Sequence, residues 1–245
     1  MYRGDADSRR PSEGEETAME RKRTNEQLTE ALHRLDERLS TPMTLHVLGG
    51  YALSHHGARP ASVLTADIDV ANVLSADVRS HVSDIARELD LEPDWLNNDV
   101  VYTEHDEADQ DDVDALDAML DARYEPTGQV FDNMRLEVAD IPTLTKAKAF
   151  AAEDIGRGRT TKDLDDLVRL LEMQGCETIA ATNRTFPWMQ DYDFEMTRER
   201  LSDVFRTKTH GYAPTDPSPD LREPPEFDFD EDEDHYDDED YCWDV

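Results

Sequence analysis

The chain has 245 residues, of which 59 are acidic and 25 basic, so its formal net charge is −34 and its pI is near 4.3. This acid excess argues against generic binding of DNA or other nucleic acids, which requires a basic surface that neutralises phosphates. No apolar run approaches the roughly 20 residues needed to cross a bilayer, so we expect a cytoplasmic protein with no membrane partner.

Lysine is rare in this sequence: five of the 25 basic residues are lysines and the others are arginines. An acidic, lysine-poor composition is typical of a protein that works in molar salt. There the screening length falls to about 3 Å and much of the self-repulsion among surface acids disappears. We therefore expect a halophilic protein.

The N-terminal part begins with a polar segment. Residues 1–22 contain almost no apolar side chains, so we expect a disordered extension. From Thr24, leucines recur every three or four residues and predict an amphipathic helix that ends before Pro42. Strands are predicted at Thr44–Leu48 and Ala66–Ala71, with a short helix at Gly50–His56 between them.

A helix that Asp77 caps comes next, and then a loop at Asp94–Asn97 that places Trp95 at the edge of the core. Glu104–Asp117 is so acidic that we expect a solvated insertion, with at most a short helix near Val113–Leu120. The alternation in Met134–Val138 predicts a strand. Further helices are predicted from Pro142, at Lys162–Glu172, at Glu177–Arg184 and at Glu195–Phe205.

The C-terminal segment, residues 207–245, combines prolines with an acidic run and is predicted to be a disordered tail. Residues 23–206 then form one domain with a helical C-terminal part. The acidic, aromatic tail could dock on a basic partner, but solubility in salt also explains its composition.

Two motifs carry the chemistry. Gly49 and Gly50 follow an apolar strand, where the lack of a Cβ permits a tight turn and close approach of a phosphate. Asp67 and Asp69 are two residues apart, so on a strand they project from one face while Ile68 enters the core. Neighbouring carboxylates repel each other unless a hard cation lies between them, and magnesium with a nucleoside triphosphate is the natural ligand.

These residues carry a family resemblance. The glycine pair followed by Asp67-Ile68-Asp69-Val70 resembles the signature of the nucleotidyltransferase superfamily, which has the polymerase-beta-like fold. More narrowly, His56-Gly57, Arg59 and Lys162-Asp163-Leu164-Asp165-Asp166-Leu167 are similar to an uncharacterised prokaryotic family of nucleotidyltransferase-like proteins, relatives of toxin and antitoxin enzymes. The resemblance covers about residues 44–173, and the segment between Gly50 and Asp67 is a few residues longer than the usual spacing.

The resemblance implies an α/β (α+β) fold, a small mixed sheet flanked by helices. It also implies that Asp67 and Asp69 hold Mg²⁺ and that Gly49 and Gly50 receive the phosphates. A third carboxylate on a neighbouring strand would help to activate the acceptor hydroxyl. Glu137 is the first candidate for this role and Asp140 the second, although an exposed glutamate on a strand is commonplace in so acidic a chain.

Three cations are candidates for nucleotide binding: Lys148, Arg157 and Arg159. Positive charge is scarce here, and cations near a phosphate-binding cleft donate charge-assisted hydrogen bonds to a triphosphate. Pairing with local acids such as Glu153, Asp163 and Asp165 is an equally good interpretation.

The leading hypothesis is a Mg²⁺-dependent nucleotidyltransferase that moves a nucleoside monophosphate from a nucleoside triphosphate to a hydroxyl of a protein or an RNA. The resemblance suggests a toxin–antitoxin context with a partner protein. The alternatives are a catalytically inactive regulatory or antitoxin-type binding protein of the same fold, and an interaction protein that works through its acidic tail.

Overall fold

The computed structural model describes residues 25–59, 65, 67–101, 108–153 and 160–210. These ranges contain eight α-helices, five short strands and two short 3-10 helices, so the predicted mixed α/β class is confirmed. The predicted disordered segments, residues 1–22 and the tail beyond residue 210, lie outside the described residues. Among the described residues, no helix has the length and apolarity that a membrane span requires.

The helices are α1 Asn25–Asp36, α2 Gly49–His55, α3 Ala76–Leu89, α4 Gln110–Leu120, α5 Ile141–Glu153, α6 Thr160–Met173, α7 Ile179–Thr185 and α8 Glu195–His210. The strands are β1 Met43–Val47, β2 Ile68–Asp69, β3 Leu96–Asn97, β4 Tyr124–Pro126 and β5 Met134–Ala139. The 3-10 helices, Pro187–Gln190 and Tyr192–Phe194, lie between α7 and α8.

The sheet is mixed, as predicted, and is built in two pieces. β5 is central in the larger piece, parallel to β1 and antiparallel to β4, while β2 and β3 form a parallel pair. An antiparallel bridge between Val47 and Val70 joins the pieces. The Leu48 amide also donates to the Asp69 carbonyl, with an N–O distance of 2.8 Å. This pairing sets the Asp-x-Asp segment beside the glycine bend that follows β1.

The main core lies between this sheet and the N-terminal helices. The leucines of α1 are fully buried, as their spacing predicts, and they pack with β1 and β5. Trp95 is fully buried, and its indole N–H donates to the Val82 carbonyl over 3.0 Å. The Asp36 carboxylate accepts the amides of Asp132 and Asn133, which ties the end of α1 to the start of β5.

The helical C-terminal part has its own apolar cluster, in which α6 packs against the 3-10 helices and α8. α5 belongs to both clusters, because Leu144 packs with the sheet and Ala149 with the C-terminal helices. α5 therefore carries side chains to the junction between the two clusters.

Several predicted boundaries were wrong. Ser75, not Asp77, caps α3: its hydroxyl accepts the Val78 amide. The predicted loop at Asp94–Asn97 includes β3, because Ile68 and Val70 donate to backbone carbonyls of that segment. The acidic insertion contains a full helix, α4, which begins with a capping box between Asp109 and Asp112. α8 continues to His210, into the predicted tail.

Candidate functional site

A cavity of about 510 Å³ is lined by residues of α2, β2, β3, α4, α5 and α6. Five of the residues selected from the sequence line it: Gly49, Gly50, Asp67, Asp69 and Lys148. Residues far apart in the chain are thus assembled around one space, and that space is in the size range of small-molecule sites.

The glycine bend and the second aspartate are in direct contact. Gly49 has a φ of +64°, a conformation that favours glycine, and a Cβ placed there would fall 2.8 Å from the Asp69 carboxyl carbon. A Cβ on Gly50 would approach Arg59 Nη1 at 2.9 Å and Thr65 Oγ1 at 3.0 Å. The backbone conformation and the Asp69 carboxylate therefore both exclude a side chain at Gly49, whereas a side chain at Gly50 would require Arg59 or Thr65 to shift.

The pKa of the Asp69 carboxyl is strongly shifted from its ordinary value. Burial raises the pKa of its carboxyl to about 6, and the charge of Asp67 adds to the rise. Asp99 contributes in the same direction, whereas Lys148 and Lys162 act to lower the pKa. The ionised form of Asp69 is thus held in an unfavourable environment, which a cation close to its oxygens would relieve.

Asp99 also lines the cavity, together with Asn97 at the end of β3. The Asn97 side chain organises this turn, since its oxygen accepts the Asp99 amide at 3.0 Å and its nitrogen donates to the Asp94 carbonyl at 3.1 Å. Sequence reasoning missed Asp99 because nothing distinguishes one more acid in this chain. Its position just after a strand paired with the Asp-x-Asp strand is the signal that could have found it.

Glu137 and Asp140, the two predicted third carboxylates, do not line the cavity. Glu137 instead lies beside His46, with 3.4 Å between Oε2 and Nε2, and pairs with Arg135 at 2.7 Å. Asp140 caps α5 by accepting the Thr143 amide at 2.8 Å. The alternation in β5 correctly predicted that Glu137 lies on the face of the strand that points away from the core. That face, however, is not part of the cavity wall.

The cations of the site belong to a network with acids on α6. Lys148 Nζ lies 2.5 Å from an Asp163 oxygen and 3.7 Å from Asp166, so the predicted pairing with a local acid is confirmed. Lys148 nevertheless lines the cavity. It can donate to a bound anion while Asp163 holds its amine in place.

Arg59, which also lines the cavity, forms a buried ion pair with Asp166. Their side chains are 4% and 3% exposed, and the guanidinium contacts both carboxylate oxygens through Nε and Nη2. This two-pronged geometry fixes the guanidinium beside Gly50. The pair connects α6 to the segment that follows α2.

Lys162 is a further cation of the cavity wall that was not chosen as a binding residue. Partial burial of the amine lowers its pKa, and the charges of Arg59 and Lys148 lower it further. The predicted Arg157 and Arg159 lie outside the described residues.

Mg²⁺ prefers oxygen ligands such as carboxylates. Among the described residues, no three carboxylate, imidazole or thiol side chains form a ready-made metal site. The cavity does offer Asp67 and Asp69, two adjacent carboxylates with hard oxygen donors. Magnesium usually binds to one or two carboxylates and completes its shell with water and substrate phosphates. The residues therefore fit a metal that arrives with a nucleotide better than a permanently caged ion.

Comparisons with known proteins assign no family to the chain. No family model matches it, and no curated protein or solved structure is significantly similar to it. What the fold and site define is a helix-rich, mixed α/β protein with a charged cavity beside a glycine bend.

Proposed function

We propose that this protein has a nucleotidyltransferase-type fold and transfers a nucleoside monophosphate from a Mg²⁺-bound nucleoside triphosphate to a hydroxyl of a protein or an RNA. One observation carries the proposal. The Asp69 carboxylate fills the space beside Gly49, and that pair shares a cavity with Asp67, Asp99 and Lys148. Carboxylates that can bind a metal, a glycine bend packed directly against one of them, and a cation in the same cavity are parts that this chemistry uses.

In the proposed reaction, the acceptor oxygen forms a bond to the α-phosphorus while the bond between the α-phosphorus and the bridging oxygen breaks. Pyrophosphate leaves, and the hydroxyl proton passes to a carboxylate, a role that we assign to Asp99. Lys148 and Lys162 bind the phosphates, and Asp67 and Asp69 hold the metal. Magnesium, when bound, neutralises charge on the triphosphate.

The experiment is label transfer. The protein, in molar KCl, is incubated with cell extract and nucleoside triphosphates labelled at the α-phosphate. We expect a labelled macromolecule with wild type and about a hundredfold or greater loss with Asp67→Ala or Asp99→Asn. Glu137→Gln is the matched control and should keep wild-type activity, because Glu137 lies outside the cavity. Equal labelling by Asp67→Ala and wild type would refute the proposal.

A catalytically inactive, nucleotide-binding regulator is the second candidate. It is favoured by the position of Glu137, the acid predicted to activate the hydroxyl, which pairs with Arg135 away from the cavity. Such a protein would bind Mg²⁺ and nucleotide but transfer no label. A toxin–antitoxin partner protein fits either candidate, and co-purification from the native host in molar KCl would reveal it.

A further inference from the structure

We propose that the apolar wall of the cavity is a nucleobase subsite that holds the heterocycle by contact alone and discriminates weakly among bases. This inference rests on the proposed function, because it assumes that the ligand is a nucleoside triphosphate. It adds the position of the base and its recognition.

The lining of the cavity contains two chemically different sets of residues. The acids and cations described above form one set. The other set, which we call the apolar wall, comes from α4 and α5 and consists of Leu116, Met119, Leu120, Leu144 and Phe150. A single cavity of about 510 Å³ therefore combines charged and apolar lining residues. A nucleotide has the same division, between its phosphates and its flat, largely apolar base.

Met119 is the most exposed apolar residue of the cavity lining. Its side chain is 44% exposed although it lines the cavity and lies on a helix whose other face is acidic. A thioether adapts to flat aromatic partners and makes favourable contacts with their ring edges. Covering this side chain with a base would remove apolar surface from water.

Polar groups for reading base edges are scarce on this wall. Of the cavity residues that α4 and α5 supply within the described ranges, Lys148 is the one with a polar side chain, and it is held by Asp163. Discrimination among bases requires hydrogen bonds to their edges, whereas contact area only favours larger bases. We therefore expect all four nucleoside triphosphates to bind within about tenfold of one another, with purines the tightest.

The test is a calorimetric titration of the full-length protein in molar KCl and Mg²⁺, with the four nucleoside triphosphates and with inorganic tripolyphosphate, which lacks base and ribose. Met119→Ala should weaken nucleotide binding about five- to tenfold and leave tripolyphosphate binding unchanged. Met173→Ala is the matched control: Met173 is 45% exposed, on α6, and does not line the cavity. It should change neither affinity.

The outcomes separate the two proposals. If tripolyphosphate binds but the nucleotides bind no more tightly, or if Met119→Ala has no effect on nucleotide affinity, the base subsite is refuted and the proposed function is not. Preference for one base by more than about a hundredfold also refutes contact-only recognition. If neither tripolyphosphate nor any nucleotide binds, the proposed function fails as well.

Discussion

At the scale of the residue, the contact between Gly49 and Asp69 is the feature on which the site depends. A side chain at Gly49 would meet both an unfavourable backbone conformation and the Asp69 carboxylate. Gly49→Ala should therefore displace Asp69 and weaken Mg²⁺-nucleotide binding at least tenfold, as measured by calorimetry.

Gly128→Ala is the control for that prediction. Gly128 also has a positive φ, +75°, but a Cβ there would have no atom within 4 Å. Its substitution should cost about 1 kcal/mol of stability through backbone strain and leave nucleotide affinity unchanged. If both variants bind nucleotide alike, the Gly49–Asp69 contact is not what shapes the site.

The raised pKa of Asp69 predicts a pH-dependent cost in stability. Because the folded state binds this proton more tightly than the unfolded state, folding loses stability as the pH rises from about 4 to about 6. In EDTA, the free energy of unfolding of Asp69→Asn should therefore be greater than that of wild type by roughly 1–3 kcal/mol above pH 6. This difference should vanish below pH 4. Urea unfolding of both proteins across this range measures it. A difference that does not vary with pH would contradict the assignment.

At the scale of the element, the Arg59–Asp166 pair fastens α6 to the segment after α2. Removal of one member of a buried pair leaves an uncompensated charge, so Asp166→Ala should destabilise the protein by about 3–5 kcal/mol in urea unfolding. Molar salt should not remove the effect, because buried pairs are poorly screened.

A surface pair provides the comparison. Arg38 and Glu88 are joined at 2.6 Å, but this contact is exposed, so Glu88→Ala should leave the unfolding midpoint unchanged. Equal losses of stability in Asp166→Ala and Glu88→Ala would show that the buried Arg59–Asp166 pair contributes no more to stability than the exposed Arg38–Glu88 pair.

Some elements of this fold can be predicted from the sequence and others cannot. Long periodic helices such as α1 and α3 follow from leucine and valine spacing, and the Asp-x-Asp segment beside a glycine pair follows from motif chemistry. β3 and β4 were missed because two or three residues, one of them Pro126, carry no periodicity. Such strands are defined by their pairing partners. The positions of Asp99 and Arg59 at the cavity likewise depend on contacts between distant segments, which sequence spacing does not encode.

At the scale of the whole molecule, we expect the net charge of −34 to make the stability of the fold depend on salt. Self-repulsion destabilises the compact state until salt screens it, so the midpoint of thermal unfolding should rise as KCl increases from about 0.2 M to about 3 M. Sucrose of matched osmolality is the control and should raise the midpoint less. A midpoint that does not respond to salt would contradict the halophilic interpretation.

The central claim is that the carboxylate pair and the glycine bend together bind a nucleotide through magnesium. Its most direct test is calorimetric titration of ATP in molar KCl, with and without Mg²⁺, against wild type, Asp67→Asn and Glu137→Gln. We predict that binding requires Mg²⁺, falls at least tenfold in Asp67→Asn and is unchanged in Glu137→Gln. Binding that ignores Mg²⁺, or that survives intact in Asp67→Asn, would contradict the account.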